Sequence, residues 1–423
     1  MGQFHMYVSA VGVNHSTSPV RFREKLAISN EALSESLNLL RQYVSNGIIL
    51  STCNRTEVYA MDNQPAEEAS INFLNTVTRV SFTDLLPHIY LRKNETAFQH
   101  LFSIASGLNS MIIGEFEILG QVGQALKAAE KMSMVNLPLR SIFQSAIRTG
   151  RRVREETGIS KNALSASSIA LDLASKVVGD LSKCKMLVIG TGEAGRLVIK
   201  VAKDRGTSQI VVASRTMERA STLAKTIGGI PISMDKLQEE LTTCNIVVGC
   251  AGAPHPILSV NYVSEVMRKR QALPLAIIDI AVPRNVEPGV EKINNVFLYN
   301  IDDLTQITDL HREQRKTEIE SALAIIADEV NMFASWWRAL DVRPVVSALM
   351  EKAEDIRSAQ LKKTLKKLPS LSDKERKSLE AMTRSIVTKI LKDPVQHLKV
   401  NSNYNPDYTD IVSRLFRLDR GKE

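Results

Sequence analysis

Residues 185–206, KMLVIGTGEAGRLVIKVAKDRG, determine the fold of the middle of this chain. An apolar strand runs directly into Gly190, Gly192 and Gly195, and a helix follows. In a turn of this kind the first glycine permits the bend and the second lets a pyrophosphate approach the backbone. The third allows the helix to pack on the strand. The spacing alone is weak evidence, but the strand–turn–helix context predicts dinucleotide binding.

The surrounding residues, about 161–305, extend this unit into alternating helices and strands. The helix SASSIALDLASKVV comes first, and the predicted strands are KCKMLVIG, SQIVVASR, CNIVVGCAG and LAIIDIAVP. Such alternation is typical of a parallel sheet, and near-continuous apolar runs indicate strands covered on both faces. We therefore expect a Rossmann-type domain with these cofactor-binding residues: Gly190, Thr191, Gly192, Glu193, Ala194 and Gly195.

The end of the second strand indicates which dinucleotide binds. An NAD site places an acidic residue there to hold the ribose 2′-hydroxyl. This chain instead has Ser214, Arg215 and Thr216, whose guanidinium and two hydroxyls suit a 2′-phosphate. Arg215 could also be an ordinary surface residue at a strand end. The residues favour NADPH over NADH as the cofactor.

The flanking regions have different patterns. Residues 1–160 mix strand-like and helix-like segments and predict an α+β domain, whereas strands disappear after about residue 306. Residues 307–337 contain no Gly or Pro and carry apolar residues at helical spacing, so they predict a long helix that joins domains or forms a coiled-coil arm. More amphipathic helices follow, and self-association is the simplest way to cover their apolar stripes. We predict three domains: 1–160, 161–305 and 306–423.

Composition and charge exclude several classes of protein. The 423 residues have a net charge of +8, and residues 341–423 carry 18 Lys and Arg against 12 Asp and Glu. This basic end fits a polyanionic partner or a solvated helical surface. No signal peptide or membrane-spanning apolar run is visible, which predicts a cytoplasmic protein without a membrane partner. The scattered cysteines and histidines argue against disulfides and a metal site.

Residues 47–60, GIILSTCNRTEVYA, place a cysteine in a polar turn between two predicted strands. A free cysteine is usually a small buried hydrophobe. Beside a nicotinamide cofactor, however, the Cys53 thiolate could attack an acyl donor and form a thioester, which hydride would reduce to an aldehyde. Arg55 could lower the pKa of the thiol and bind a substrate carboxylate.

These segments together resemble the glutamyl-tRNA reductase family from end to end. VGVNHSTSPVRFREKL resembles the family's opening, STCNRTEVYA its catalytic loop, and HLFSIASGLNSMIIGEFEILGQV the segment that lines its glutamate pocket. VIGTGEAG, ASRT, DIAVPRNVEP and YNIDDL follow in the family's order. The resemblance implies a V-shaped homodimer with a catalytic domain, an NADPH domain and a long spinal helix that leads into a helical dimerisation domain.

The resemblance also implies the reaction and its residues. Glutamyl-tRNA(Glu) and NADPH would give glutamate-1-semialdehyde, free tRNA and NADP, the first step of tetrapyrrole synthesis from glutamate. Cys53 matches the nucleophile, and His100 matches a histidine that assists proton transfer or polarises the carbonyl. The matching substrate-binding positions are Thr52, Asn54, Arg55, Ser110, Glu115, Phe116, Glu117 and Gln121. The family usually has Pro or Gly and then Gln where this chain has Phe116 and Glu117.

Other interpretations and partners stay open at this point. A different thioester-forming dehydrogenase would explain the thiol and the cofactor, and a non-catalytic regulator that binds NADPH and tRNA would keep the scaffold. For tRNA we expect a basic face that consists of Arg148, Arg151, Arg152 and Arg154, or the basic C-terminal helices. An aminomutase that takes up the product is a possible partner. Hydride transfer is expected to require the nucleotide domain to approach Cys53.

Overall fold

The computed structural model describes residues 6–160, 165–270, 273–304, 315–401 and 407–418. The chain divides into two compact units, Val8–Ala327 and a second one that contains Asp328–Glu423. The predicted domain boundaries at 160/161 and 305/306 adjoin residues 161–164 and 305–314, which lie outside the described part of the chain. The boundaries therefore stay predictions.

Residues 6–160 combine a small sheet with helices, as the sequence predicts. The strands are β1 (Tyr7–Asn14), β2 (Asn46–Ser51), β3 (Arg55–Asp62) and β4 (Tyr90–Lys93), and the helices are α1 (Val20–Leu26), α2 (Leu33–Leu40), α3 (Glu67–Thr78), α4 (Phe82–Leu85), α5 (Glu95–Ala105), α6 (Glu117–Lys131) and α7 (Leu137–Glu156). The sheet order is β2-β3-β1-β4, with antiparallel pairing of β2 with β3 and of β1 with β4. The β2–β3 hairpin carries the cysteine turn.

The next part of the same unit is a six-stranded parallel sheet with helices. Its strands are β5 (Lys185–Ile189), β6 (Gln209–Ser214), β7 (Ile230–Ser233), β8 (Ile246–Gly249), β9 (Leu275–Asp279) and β10 (Val296–Asn300), and its helices are α8 (Ala166–Val178), α9 (Glu193–Asp204), α10 (Met217–Ile227), α11 (Leu237–Thr243) and α12 (Val260–Lys269). The order β10-β9-β8-β5-β6-β7 is that of a doubly wound dinucleotide-binding sheet. This confirms the predicted Rossmann-type fold.

Alternation along β5 explains how the sheet holds two cores. Met186 and Val188 belong to one apolar cluster, and Leu187 and Ile189 belong to another. Because successive side chains of a strand point to opposite faces, a continuous apolar run covers both faces of the sheet. The sequence predicted the four inner strands but missed β7 and β10, which are the edge strands and are more exposed.

The described part of the C-terminal region is helical, as predicted. It contains α13 (Lys316–Lys367), α14 (Asp373–Asn401) and α15 (Asp407–Leu415). The sequence suggested separate helices before and after Pro344, but α13 continues through this proline for 52 residues. Exposed apolar side chains on these helices include Met350, Ile386 and Ile390. Among the described residues, none of the helices combines the length and apolarity that crossing a bilayer needs.

Candidate active site

Cys53 lies at the tip of the β2–β3 hairpin. The backbone N–H of Thr52 donates to the carbonyl oxygen of Arg55 at 2.8 Å, which closes the turn. The hydroxyl of Thr52 accepts a hydrogen bond from the N–H of Asn54 at 3.1 Å. Threonine and asparagine stabilise turns through local bonds of this kind. The STCNR sequence therefore fixes the position of the thiol through its own neighbours.

A buried carboxylate, Glu57, collects several polar side chains next to this turn. Its oxygens accept hydrogen bonds from the Arg55 guanidinium at 2.8 Å, from the Tyr59 hydroxyl at 2.6 Å and from the Tyr90 hydroxyl. The side chains of Glu57 and Arg55 are 0% and 1% exposed. Burial alone would raise the pKa of Glu57, but Arg55 and His100 hold it well below the usual range. Glu57 is therefore an ionised carboxylate inside the protein.

Glu57 also fixes the orientation of His100. The Nε2 atom of His100 lies 3.3 Å from a Glu57 oxygen, and its Nδ1 atom lies 3.5 Å from the side-chain amide of Asn109. An ionised carboxylate has no hydrogen to donate, so Nε2 must carry one. Tyr90 packs edge-on against the ring, with 5.1 Å between ring centroids. His100 and Arg55 therefore both contact the carboxylate of Glu57.

The Cys53 thiol is partly buried and lies among more negative than positive charge. Burial, Glu115 and Glu117 raise its pKa to about 12, and Arg23 opposes them. Only the thiolate is a good nucleophile. In this arrangement the thiol holds its proton at neutral pH, and acyl transfer requires a change in the surrounding charge.

The Arg55 guanidinium is bonded inside the protein. Its guanidinium donates to Glu57 and, at 2.5 Å, to the carbonyl oxygen of Asn109. The guanidinium that lowers the pKa of Cys53 is Arg23. A buried carboxylate already pairs with the charge of Arg55, and the expectation that Arg55 acidifies the thiol stays a prediction.

The acids of the predicted pocket stand close together at the start of α6. Burial, Glu115 and Glu193 raise the pKa of Glu117 to about 7. Burial also raises the pKa of Glu115, although the hydroxyl of Ser110 and two guanidinium groups oppose this shift. Two nearby carboxyl groups cannot easily both be ionised. Glu193 is the first residue of α9, so the influence on Glu117 extends from the nucleotide domain.

Arg154 supports the backbone around this pocket. Its guanidinium donates to the carbonyl oxygens of Ala105, Gly150 and Glu115 at 2.6 to 2.8 Å. The predicted basic face for tRNA included Arg154, whose guanidinium is bonded to these carbonyl oxygens; a contact of Arg154 with tRNA stays a prediction. Its inward bonds position the segment before α6 and leave the outer face of α7 to the other three arginines.

The two positions at which this chain departs from the family pattern differ in environment. Phe116 precedes the first residue of α6 and is 63% exposed, so its ring lies at the surface. Glu117 is partly buried in the first helical turn, where the helix dipole favours a negative charge. Gln121, one turn further along α6, is partly buried as well.

Two of the predicted substrate-binding residues, Asn54 and Arg55, bury polar atoms that have no hydrogen-bond partner among the described residues. These atoms are Oδ1 of Asn54 and Nε of Arg55. Buried polar groups in folded proteins are nearly always paired. The first atom is an acceptor, and the second is a charged donor. They are suited to a small polar ligand that carries both a negative and a positive group.

The glycine turn after β5 fits a dinucleotide. Gly190 has a φ of +123°, and a Cβ atom there would lie 2.8 Å from the backbone of Cys250 and Ala251. A Cβ atom at Gly195 would lie 2.7 Å from a carbonyl oxygen, whereas Gly192 has open space at this position. Gly192 also directly precedes α9. A pyrophosphate can thus approach Gly192 and the free N–H groups at the start of the helix.

The residues predicted to select the dinucleotide lie at the end of β6, which is the neighbour of β5 in the sheet. Ser214 is partly buried, and Arg215 and Thr216 are exposed. The guanidinium of Arg215 lies 3.4 Å from the carbonyl oxygen of Gly252. Because parallel neighbours end at the same edge of a sheet, these side chains lie beside the glycine turn.

One apolar cluster joins the thiol to the nucleotide domain. Cys53 and Cys250 both pack against a cluster that contains Met111 and Ile112 of the pocket segment and Ile280, which follows β9. Cys250 is also the residue whose backbone limits the space at the glycine turn. The thiol and the predicted cofactor site are therefore parts of one packed region within Val8–Ala327.

Comparison with known proteins agrees with this geometry. Family models match residues 11–157 (Glutamyl-tRNAGlu reductase, N-terminal domain), 172–307 (Shikimate / quinate 5-dehydrogenase) and 321–418 (Glutamyl-tRNAGlu reductase, dimerisation domain). The glutamyl-tRNA reductase of Natranaerobius thermophilus is 40% identical over 401 residues, which are 93% of this chain and 87% of the relative. The chain belongs to the glutamyl-tRNA reductase family.

Further relatives of this family cover the chain as completely. The glutamyl-tRNA reductase of Moorella thermoacetica is 40% identical over 423 residues, which are 98% of this chain and 95% of the relative. The solved structure of glutamyl-tRNA reductase from Methanopyrus kandleri is 32% identical, with a TM-score of 0.50, and the match covers 97% of this chain and 99% of that chain. These matches confirm the three-domain architecture of the family and the resemblance drawn from the sequence.

Sequence reasoning missed the groups that hold the site together, chiefly Glu57. One signal for it was present. Side chains alternate along a strand, so Arg55, Glu57 and Tyr59 must lie on one face of β3. A buried arginine needs a countercharge, and Glu57, two residues further along the same face, can provide it. No comparable signal existed for Tyr90 or Asn109, which reach the cluster only through the fold.

Proposed function

We propose that this chain reduces the glutamyl group of glutamyl-tRNA(Glu) to glutamate-1-semialdehyde with NADPH, through a thioester on Cys53. The main supporting observation is that the thiol packs on the same apolar cluster as Cys250, whose backbone borders the glycine turn. Unpaired buried atoms of Asn54 and Arg55 belong to the same predicted pocket. Family membership gives the substrate and the reaction class.

The thiol carries the acyl group between two half-reactions. The Cys53 sulfur attacks the carbonyl carbon of the aminoacyl ester, the bond to the ribose oxygen breaks, and the thiol proton passes to that oxygen, so tRNA leaves. NADPH, bound at the glycine turn, would supply the hydride that reduces the thioester to the aldehyde. The sulfur leaves as a thiolate and takes a proton from water, which restores the thiol.

Arg55 and its neighbours recognise the amino acid. The α-carboxyl group of the substrate is esterified, so the γ-carboxylate is its one free acid. The unpaired Nε–H of Arg55 suits that carboxylate, and Glu57 holds the guanidinium in place from the other side. Ser110 contributes a hydroxyl, and Glu115 suits the α-ammonium group.

Substrate binding itself activates the nucleophile. Burial raises the pKa of Cys53 most, and Glu115 and Glu117 raise it further. An α-ammonium group beside these acids neutralises part of their charge, and a cation near a thiol favours its thiolate. The pKa of Cys53 therefore falls when glutamyl-tRNA binds, which protects the free enzyme from side reactions of a permanent thiolate. His100, oriented by Glu57, assists the transfer of the proton.

Ser214, Arg215 and Thr216 bind the 2′-phosphate of NADPH. Since charge-assisted hydrogen bonds contribute about 1.5–3 kcal/mol, we expect Arg215→Gln to weaken NADPH binding about ten- to a hundredfold. NADH binding should change much less, because it has no 2′-phosphate. Titration of both nucleotides against the variant measures this, and equal losses would rule out the 2′-phosphate contact.

The C-terminal helices make the protein a homodimer, and tRNA is bound by basic helices. The dimerisation model matches 321–418, where α13–α15 carry exposed apolar side chains. Burial of such stripes against a second copy is the usual reason for a symmetric pair of helical domains. A cytoplasmic location, and an aminomutase that receives the reactive aldehyde, complete the proposal.

One assay separates this function from the alternatives. The protein is incubated with NADPH and glutamyl-tRNA, or with uncharged tRNA plus glutamate, an acyl phosphate or an acyl-CoA. We expect aldehyde only with the charged tRNA. Aldehyde from acyl phosphate or acyl-CoA would indicate a different thioester-forming dehydrogenase. Binding of tRNA and NADPH without aldehyde would indicate a non-catalytic regulator.

A further inference from the structure

The segment DIAVPRNVEP, residues 279–288, begins with the last residue of β9 and contains a buried asparagine. The Asn285 side chain is 0% exposed, and its amide forms two hydrogen bonds with the backbone of Ala251. Its Oδ1 atom accepts from the N–H of Ala251 at 2.8 Å, and its Nδ2 atom donates to the carbonyl oxygen of Ala251 at 2.9 Å. One side chain thus holds both polar backbone groups of Ala251.

The backbone that carries Asn285 is itself held by hydrogen bonds. The buried carboxylate of Asp279 accepts from the N–H of Ala281 at 3.2 Å and from the N–H of Val286 at 2.8 Å. The carbonyl oxygen of Asn285 accepts from the N–H of Leu258 at 2.9 Å. A buried polar network whose members are paired keeps one arrangement. Asn285 therefore holds Ala251 from a fixed position.

Ala251 lies in the loop that follows β8, beside the glycine turn. The strand order of the sheet reverses between β5 and β8, and a dinucleotide binds across the crevice at such a point, beyond the carboxyl ends of the strands. The glycine turn follows β5 and forms one wall of this crevice. A Cβ atom at Gly190 would lie 2.8 Å from the backbone nitrogen of Ala251 and from the carbonyl group of Cys250. Residues 250–252 therefore form the other wall.

The two sides of the crevice suit different halves of the dinucleotide. In a fold of this kind the second strand ends at the ribose of the adenosine half. That strand is β6 in this chain, and it lies on the opposite side of β5 from β8. The β8 side is therefore left for the nicotinamide half. This side also borders the thiol, because Ile280 and Val282 belong to or pack against the apolar cluster that Cys53 contacts.

We propose that Asn285 is a positioning residue for the nicotinamide half of the dinucleotide: it fixes the crevice wall on the β8 side by holding both backbone groups of Ala251. It acts through this backbone rather than by contact with the cofactor. Without the amide, two buried backbone groups lose their partners, and the loop shifts to pair them elsewhere. The inference rests on the proposed function only in taking the crevice as the site of a nicotinamide dinucleotide.

The test compares the binding of NADPH and of 2′,5′-ADP to the full chain by titration calorimetry. The second ligand is the adenosine half with its 2′-phosphate and lacks the nicotinamide half. Asn285→Ala removes both bonds to Ala251, and from the usual value of buried hydrogen bonds we expect NADPH to bind about ten- to a hundredfold more weakly. Binding of 2′,5′-ADP should stay within about twofold of the wild type, because this ligand occupies the β6 side. Unchanged binding of NADPH, or an equal loss for both ligands, would overturn the proposal.

Asn245→Ala is the matched control for a general loosening of the sheet. The Oδ1 atom of Asn245 also bonds a backbone group, the N–H of Lys185, at 2.9 Å. These two residues lie at the amino ends of β8 and β5, at the opposite edge of the sheet from the crevice. The control should lose stability in urea unfolding but keep its affinity for NADPH. If its affinity falls as much as that of Asn285→Ala, the proposal fails.

Asn285→Ser serves if the alanine variant does not fold. Its hydroxyl ends one bond short of the positions of Oδ1 and Nδ2, so it should also weaken NADPH and spare 2′,5′-ADP. Wild-type affinity of a folded serine variant for NADPH would overturn the proposal.

The same titrations separate this inference from the proposed function. A wild-type chain that binds neither ligand would refute the cofactor site and this inference with it. Failure to form aldehyde from glutamyl-tRNA, with the selective loss of NADPH binding observed, would refute the proposed reaction and leave the role of Asn285 standing.

Discussion

The glycine turn and the cysteine turn lie in one compact unit but are built in opposite ways. The glycine turn spans six residues, and its shape depends on the absence of side chains at Gly190 and Gly195, where a Cβ atom would meet backbone. The cysteine turn is also short, but its chemical character comes from burial and from charges elsewhere in the chain, among them Glu115, Glu117 and Arg23. The shape of the glycine turn therefore depends on the room around its backbone, and the reactivity of the cysteine turn depends on electrostatics.

This difference indicates how each site should fail. Removal of a charge without a change in shape should disrupt the cysteine site, because buried charges depend on their partners. Addition of a methyl group should disrupt the glycine turn, because close backbone contacts leave no room for it.

Cys53→Ser should have the largest effect. A serine hydroxyl has no populated anion near neutral pH, so we expect reductase activity to fall by at least about a thousandfold. Aldehyde formation from glutamyl-tRNA and NADPH measures it. Cys184→Ser is the matched control, since the Cys184 thiol donates to the carbonyl oxygen of Asp180, which a hydroxyl can also do. Near-normal turnover by Cys53→Ser would show that Cys53 is not the nucleophile.

Glu57→Gln should cost the most stability. It leaves the Arg55 guanidinium buried without a countercharge, and loss of one partner of a buried pair costs about 3–5 kcal/mol. Urea unfolding measures this, with Glu68→Gln on the exposed face of α3 as a control that should change stability by less than about 1 kcal/mol. A loss as small as that of the control would contradict the electrostatic character of the site.

The effect of Glu57 should also depend on pH in a defined direction. Its folded pKa lies below the ordinary value of 4.5, so its stabilising contribution is complete above pH 4.5 and is lost as the pH falls below that value. The difference in unfolding free energy between the wild type and Glu57→Gln should therefore shrink in acid. A difference that grows below pH 4.5 would contradict a lowered pKa of Glu57 in the folded protein.

The same contrast explains what could be predicted from the sequence. The glycine turn is local, so Gly190, Gly192 and Gly195 reveal it in order, and the apolar runs around it reveal the inner strands. The edge strands β7 and β10 escaped because half-exposed short runs have no strong pattern. The candidate cysteine and its neighbours came from the motif and the family resemblance.

The charges around the cysteine could not be predicted, because they depend on contacts between residues far apart in the chain. Arg55 looked free in the sequence, and only the fold shows that Glu57 pairs with it. Arg154 looked like part of a basic surface, but its bonds run inward to carbonyl oxygens. Arg23 gave no sign that it acts on a thiol thirty positions later. Side-chain electrostatics at this site is a property of tertiary structure.

Gly190→Ala should have an intermediate effect on the nucleotide site. Its positive φ and the 2.8 Å approach to Cys250 and Ala251 force the turn to move, and strain of about 1–3 kcal/mol predicts cofactor binding weaker by about ten- to a hundredfold. Gly179→Ala is the matched control, since Gly179 also has a positive φ but open space around it. It should lose stability without loss of affinity. Equal affinities of both variants for NADPH would show that the close backbone contacts at Gly190 do not control cofactor binding.

Glu117→Gln should have the smallest effect, and only on one side of neutrality. Because the pKa of Glu117 is about 7, its charge raises the pKa of Cys53 mainly above that pH. Alkylation of Cys53 should be about two- to fivefold faster in the variant at pH 8 and unchanged at pH 6. Glu130→Gln, further along α6, should match the wild type at both values. Acceleration at pH 6 as large as at pH 8 would contradict the assigned pKa.

The most direct test of the account is to trap the acyl group on the thiol. The protein is mixed with glutamyl-tRNA in the absence of NADPH, quenched in acid and digested, and the peptide that contains Cys53 is analysed by mass spectrometry. The account predicts one glutamyl group on this cysteine, which disappears on addition of NADPH while aldehyde forms. Aldehyde formation with no glutamyl group on Cys53, or with the group on another residue, would contradict it.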